Sequence, residues 1–330
     1  MSKISNYFKN KSILITGGTG SFGEYLLGKL LTFKPKKIIV FSRDELKQFN
    51  LKNKLRIYSE RLEFRIGDVR SMNSLLAASR GVDIIYHAAA MKQVPISEEN
   101  PIEAVYTNIN GAYNLKEVAI RNRIPKVVAI STDKAVRSVN VMGMTKAIQE
   151  RILLSNHELT ETIFVCVRFG NVVGSRGSVV PLFKEKLEKK EPIPITDPNM
   201  TRFLITLEDA MDLIFTATME GKGREIFVKK MPVCNISDLA QVLIEENTHD
   251  KNYPIETVGL RQGEQLYETL VSEEELRRAK ESQKYFIIYP YGISGLPQVR
   301  SKIKEYRTDL ISKRMSKKEI KELLKESGYL

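Results

Sequence analysis

The sequence predicts an α/β fold: a doubly wound parallel sheet joined to a smaller α/β lobe. Three observations predict it. Six short, nearly unbroken apolar runs recur along the first half of the chain, stretches of helical period separate them, and a glycine-rich turn follows the first run. Unbroken rather than alternating apolar character marks strands buried on both faces, as in a parallel sheet. Strands alternating with helices build βαβ units with right-handed crossovers.

The first strand, 11–16, runs into Gly17-Gly18-Thr19-Gly20-Ser21-Phe22-Gly23. Phe22, Leu26, Leu27, Leu30 and Leu31 then form one helical stripe that stops before Pro35. Further strands are expected at 37–41, 62–66, 82–87, 127–131 and 162–168. After Gly170, loop-rich sequence leads into helices at 179–190, 207–219 and 237–245, with short strands near 225–228 and 255–258. Three regions follow: a sheet domain over 1–170, a second lobe over 171–290 interleaved with it, and a basic helical tail over 291–330.

Composition excludes several classes. The 330 residues are 42% hydrophobic and 28% charged, the balance of a globular protein. Apolar runs such as Ile38-Ile39-Val40-Phe41 fall far short of the ~20 residues needed to cross a bilayer. No secretory signal is read in residues 1–10, so a cytoplasmic location is expected. Cys166 and Cys234 lie in apolar stretches and read as buried free thiols. His87, His157 and His249 show no metal-ligand spacing, so no metal site is expected. The net charge of +12 draws on Lys34, Lys36 and Lys37 and on residues 313–325. There lysine alternates with glutamate at helical spacing, which reads as a solvated helix face rather than a nucleic-acid arm. The excess favours anionic small molecules.

The glycine turn carries the first functional reading. Gly17 permits a tight turn, Gly20 lets the backbone approach a pyrophosphate, Gly23 allows close helix–sheet packing, and the helix N-terminus presents free N–H groups to the anion. Strand, glycines and helix in that order describe a Rossmann-type dinucleotide site. The second strand ends at Ser42-Arg43, where an NAD site would carry an acid for the ribose, and Asp44 comes a place or two late. A guanidinium and a hydroxyl suit a 2′-phosphate, which favours NADP over NAD. Asp68 and Val69 are placed to meet the adenine, and Ala88 and Ala89 leave room for the cofactor backbone.

Seven motifs together carry a resemblance. They are the glycine turn 17–23, Ser-Arg-Asp-Glu-Leu-Lys (42–47), His-Ala-Ala-Ala-Met-Lys (87–92), Ser-Thr-Asp-Lys-Ala-Val (131–136), Gly-Asn-Val-Val-Gly-Ser-Arg-Gly-Ser-Val-Val-Pro (170–181), Met-Thr-Arg-Phe (200–203) and Arg-Gln-Gly-Glu (261–264). The set resembles the extended short-chain dehydrogenase/reductases that are UDP-N-acetylglucosamine 4,6-dehydratases. The resemblance spans about residues 10–290 and is nearest the inverting enzymes of pseudaminic-acid and capsular pathways. It implies oxidation of the sugar at C4, loss of water across C5 and C6, and return of hydride to C6.

The same resemblance distributes roles. Asp133 is the acid for the leaving hydroxyl, Lys134 the base at C5, Thr132 a polar helper, and Lys146 the holder of the nicotinamide ribose. Ser21, Phe22 and Lys47 join the cofactor residues. Asn171, Val172, Ser178, Arg202, Arg261 and Glu264 face the nucleotide sugar, with Lys92 near the sugar or the cofactor ribose. Such a base needs a lowered pKa and such an acid a raised one. Met142 departs from the usual pattern, standing where most short-chain dehydrogenases carry a tyrosine, on one helix face with Lys146. A thioether accepts no proton, so the C4 hydroxyl is left with Lys134 or Lys146 as acceptor. His87 reads as packed. Two other readings share the scaffold: a UDP-sugar 4-epimerase and a non-catalytic NADP-binding regulator. Family members commonly form homo-oligomers, and no residue type reports whether C5 inverts.

Overall fold

A computed structural model describes residues 3–155, 160–248, 250, 252–292 and 303–330. His157, His249 and part of the expected tail, 293–302, lie outside the described residues. The six expected strands form: β1 (Ser12–Thr16), β2 (Lys37–Ser42), β3 (Leu62–Ile66), β4 (Ile84–His87), β5 (Lys126–Ile130) and β6 (Ile163–Arg168). Next come β7 (Asn171–Val172), β8 (Ile193–Ile195), β9 (Thr201–Ile205), β10 (Ile226–Lys229) and β11 (Val233–Asn235). The remainder are β12 (Ile255–Thr257), β13 (Thr269–Val271), β14 (Ala279–Glu281), β15 (Tyr285–Ile288) and β16 (Tyr306–Arg307).

The large sheet has the order β14-β15-β10-β6-β5-β4-β1-β2-β3. It is parallel from β10 to β3, with β15 and β14 added antiparallel at one edge. This is the Rossmann-type α/β fold that the apolar runs predict. Every residue of β1 is buried, and the helix Ser21–Thr32 lays Leu26, Leu27, Leu30 and Leu31 against the sheet. Each such side chain contributes about 1.5–3 kcal/mol of burial. Because β1 pairs with β2 on one side and β4 on the other, the winding reverses between β1 and β4. A crevice opens there at the carboxyl ends of the strands.

The second core gathers Val180, Phe183, Ile193, Leu204, Leu239 and Leu243. Its lobe is interleaved with the first, since β10, β14 and β15 return to the large sheet. The described part of the basic tail includes the helix Lys317–Glu326, which is amphipathic, with Ile320 and Leu324 fully buried in the second core. Only its lysine face meets water, where Lys317 and Lys321 pair with Glu245 (2.9 Å) and Glu246 (2.5 Å). Lysine–glutamate alternation reports the solvated face of a helix and is silent about the opposite one.

Candidate functional site

A cavity of about 1050 Å³ runs from the glycine turn across to the second lobe. Pockets for one small ligand span roughly 300–1,000 Å³, so there is room for two. Every site residue expected from the sequence lines it except Asp133.

At the cofactor end, Gly17 has φ +70°, and a Cβ there would fall 2.8 Å from the Ala89 backbone. Only glycine lets β1 and the segment after β4 approach so closely. Gly20 caps the Ser21 helix without any side-chain hydrogen bond, which leaves the helix N-terminus open to an anion. Asp44 lines this end of the cavity with its carboxylate engaged by Lys47. Its Oδ1 accepts from Lys47 N (2.9 Å), capping the next helix, and its Oδ2 lies 2.6 Å from Lys47 Nζ. That pairing holds its carboxyl below the usual range. Arg43, half exposed, stands 3.7 Å from Asp68 Oδ2. These residues fit one end of a dinucleotide.

The reacting end is built where β5 leaves the sheet. Asp133 N donates to Phe169 O (3.1 Å), which draws Asp133 inward until its side chain is fully buried. Its Oδ1 accepts from Thr132 Oγ1 (2.8 Å) and Lys134 Nζ (3.1 Å), while Oδ2 has no hydrogen-bond partner among the described residues. Asp133 therefore sits behind Thr132 and Lys134 instead of on the cavity wall. Lys134 Nζ also lies 2.9 Å from Glu268 Oε1 and 3.4 Å from Asn171 Oδ1. Burial pulls the Lys134 pKa down, but Asp133 and Glu268 outweigh it and the net shift is upward. The lowered value expected of a base is not met here: Lys134 rests as an ammonium ion. The turn packs tightly on the helix Val141–Leu154, where a Cβ on Gly143 would fall 2.1 Å from Lys134 O.

Met142 and Lys146 share the lining face of that helix, as their spacing implies. Lys146 Nζ donates to Ile130 O (2.5 Å) and Gln149 Oε1 (2.8 Å), two uncharged acceptors. Burial pulls its pKa down to about 8. His87 is packed, fully buried with Nδ1 2.8 Å from Thr16 Oγ1.

At the far end, Ser178 Oγ is buried, has no partner and caps nothing, although it stands at the N-terminus of the helix Val179–Glu188. Arg202 is occupied: its guanidinium donates to the carbonyls of Thr201 (2.9 Å) and Gln265 (2.8 Å) and so braces the 264–268 segment. Glu264 Oε2 closes its own turn by accepting from Arg261 N (3.1 Å). The Arg261 side chain lies exposed at the rim.

Three site residues escape a sequence reading. Glu268 is 3% exposed and lines the cavity beside Lys134, with its pKa raised mainly by burial. Its only signal is its place four residues after Glu264. Asn108, in a π-helical turn, holds Met91 N (2.8 Å) and Thr145 Oγ1 (2.9 Å), fixing the segment that carries Lys92. Such turns often mark functional sites but leave no sequence signature. Arg176 reaches across the cavity, as described below.

A family model described as "Polysaccharide biosynthesis protein" matches residues 13–290. The chain belongs to that family. Similarity to relatives at 41–44% identity extends over nearly the whole chain. A UDP-glucose 4-epimerase of Rickettsia typhi is 41% identical, covering 98% of each chain. An "uncharacterized membrane protein" of Methanocaldococcus jannaschii is 44% identical over 99% of each; in the present chain, among the described residues, no helix is long and apolar enough to cross a membrane. The solved structure of Pen from Bacillus thuringiensis superposes with a TM-score of 0.90 at 41% identity, covering 97% of this chain and 99% of that one. A dTDP-glucose 4,6-dehydratase from Streptomyces venezuelae, solved with NAD and TYD bound, gives 0.70 at 22% identity over 77% and 86%. That last likeness bears on the fold alone, a mostly parallel sheet of Rossmann type.

Proposed function

We propose that the protein is a nucleotide-sugar enzyme of the extended short-chain dehydrogenase/reductase class, and specifically an NADP-dependent UDP-N-acetylglucosamine 4,6-dehydratase. The product would be a UDP-4-keto-6-deoxy-N-acetylhexosamine for surface glycan synthesis. One observation carries the reading: Lys134, flanked by two buried carboxylates, lines a cavity shared with a dinucleotide-type glycine turn. When bound, the nicotinamide supplies a reversible hydride acceptor.

The residues then divide the proton work. Lys146 Nζ, neutral in part near pH 8, takes the C4 hydroxyl proton that Met142 cannot. Lys134 removes the C5 proton once its own has passed to Glu268, whose carboxyl burial disposes to protonation. Asp133 is reached through the Thr132 hydroxyl, which already donates to it and faces the cavity. Lys134 and Glu268 therefore act as a coupled pair rather than as separate residues. Ser178 and Arg261 are left for the diphosphate, with Arg202 holding the segment in place.

The deciding experiment is incubation with UDP-N-acetylglucosamine without added reductant. A product lighter by one water supports the dehydratase, and unchanged sugar rejects it. The curated Rickettsia names favour a second reading, 4-epimerisation, which an isobaric product would establish. Proton NMR in deuterated water reads whether C5 inverts.

Two further results are expected. Arg43→Ala should weaken NADP binding by ~10-fold or more and leave NAD unchanged, as loss of a charge-assisted bond implies; equal losses for both would point to NAD. Because ammonium cannot accept a proton, turnover should rise with pH through about 8, and Lys146→Met should remove that limb. A homo-oligomer is also expected. Tyr106 in the π-helical turn, Tyr113 in the helix Gly111–Arg121, and Met144 and Ile148 in the helix Val141–Leu154 lie exposed, and light scattering measures the mass.

A further inference from the structure

Arg176 belongs to the second lobe by anchorage. Its loop begins at Gly174, whose carbonyl accepts from Tyr329 Oη (2.7 Å), and ends at Ser178, where the helix Val179–Glu188 carries Val180 and Phe183 into the second core. Gly174 has φ +72°, and a Cβ there would fall inside the Tyr329 ring. The start of the loop is thus pinned.

Its tip nevertheless contacts the first domain. Arg176 Nε donates to Ser21 Oγ (2.8 Å) and Nη2 to Thr19 O (3.3 Å), while Arg176 O accepts from Lys92 Nζ (3.0 Å). Both guanidinium partners are uncharged. A guanidinium held by one hydroxyl and one carbonyl retains its preference for an anion. It rests on the glycine turn, beside the uncapped N-terminus of the Ser21 helix. Its charge reaches Asp44, where it adds to the dominant effect of Lys47. It also reaches Lys92, whose pKa falls chiefly through burial. Cation and open N–H groups converge on one point from opposite walls of the cavity.

We propose that Arg176 is a ligand for the dinucleotide pyrophosphate delivered by the substrate-side loop, so that cofactor binding sets the position of Ser178 and couples the two ligand sites. This rests on the cofactor reading above. In the resting protein Ser21 and Thr19 hold the place of phosphate oxygens. With cofactor present, the guanidinium passes to the phosphate and draws the loop tip, residues 175–177, toward it, which sets where Ser178 stands at the loop's end. Linkage makes the effect mutual: whatever factor NADP adds to nucleotide-sugar affinity, the nucleotide adds to NADP affinity.

The test is calorimetric and needs no turnover. NADP is titrated into wild type, Arg176→Ala and Arg176→Lys, and UDP is titrated with and without saturating NADP. Arg176→Ala should weaken NADP ~10-fold or more, with Arg176→Lys intermediate because it keeps charge and loses the fork. In wild type, saturating NADP should tighten UDP by ~5-fold or more, and in Arg176→Ala by less than ~2-fold. NADP affinity unchanged in Arg176→Ala, or coupling that survives it, would overturn the proposal while leaving the cofactor reading intact. Failure of wild type to bind NADP or NAD would overturn both. Arg176 is exposed, so a matching circular-dichroism melt checks that the variant is folded.

Discussion

Turnover should fall by ~10²-fold or more when Asp133 is replaced by asparagine, with cofactor affinity within ~2-fold of wild type. Asparagine keeps the size of the side chain and can still accept from Thr132 Oγ1, so the turn against Phe169 should persist. What disappears is the ionisable oxygen between Thr132 and Lys134. Lys134 also loses one of the two carboxylates that raise its pKa. Lys134→Met is the companion variant: it leaves Asp133 and Glu268 buried without their shared cation and should lower turnover at least as far. Steady-state kinetics with parallel cofactor titrations check both. Unaltered turnover in Asp133→Asn would remove Asp133 from the mechanism.

Arg168→Met should cost about 3–5 kcal/mol of stability, the range for stripping one partner from a buried ion pair. Arg168 closes β6 at 2% exposure. Its guanidinium meets both oxygens of Glu150 (3.1 and 2.6 Å) and both of Glu275 (3.0 Å each), and also donates to Leu270 O (3.0 Å). Removal strands two carboxylates in the interior. Those carboxylates hold its own pKa up against the burial that would lower it. Arg168→Lys should recover only part of the loss, since a single ammonium cannot serve two carboxylates as a fork does. Urea unfolding followed by fluorescence measures the change, and a midpoint equal to wild type would show the cluster to be neutral. Leu270 lies in β13, two residues from Glu268, so the same variant should also loosen the reacting site.

The two variants mark different depths of legibility. Lys134 is found from the sequence because Ser-Thr-Asp-Lys-Ala-Val (131–136) is one of the motifs that carry the resemblance, and an apolar run places that motif at the end of a strand. Arg168 lies at the end of another such run and gives no sign of its partners. Glu275 stands 107 positions away. The Lys317 helix shows the same limit: its lysines and glutamates are plain, while the leucine and isoleucine between them needed a surface to be buried against.

By itself the sequence determined the six parallel strands that open the fold, their double winding, the glycine turn and a set of residues that the cavity brings together. These depend on period, on residue size and on neighbours within a few positions, all of which are local. Tertiary structure alone decided that Asp133 turns inward, that Glu268 flanks Lys134, and that Arg176 crosses to Ser21 from 155 positions away. Each of those outcomes is a balance of desolvation against one specific charge or hydrogen bond, and the partner is chosen by packing, which no local pattern encodes.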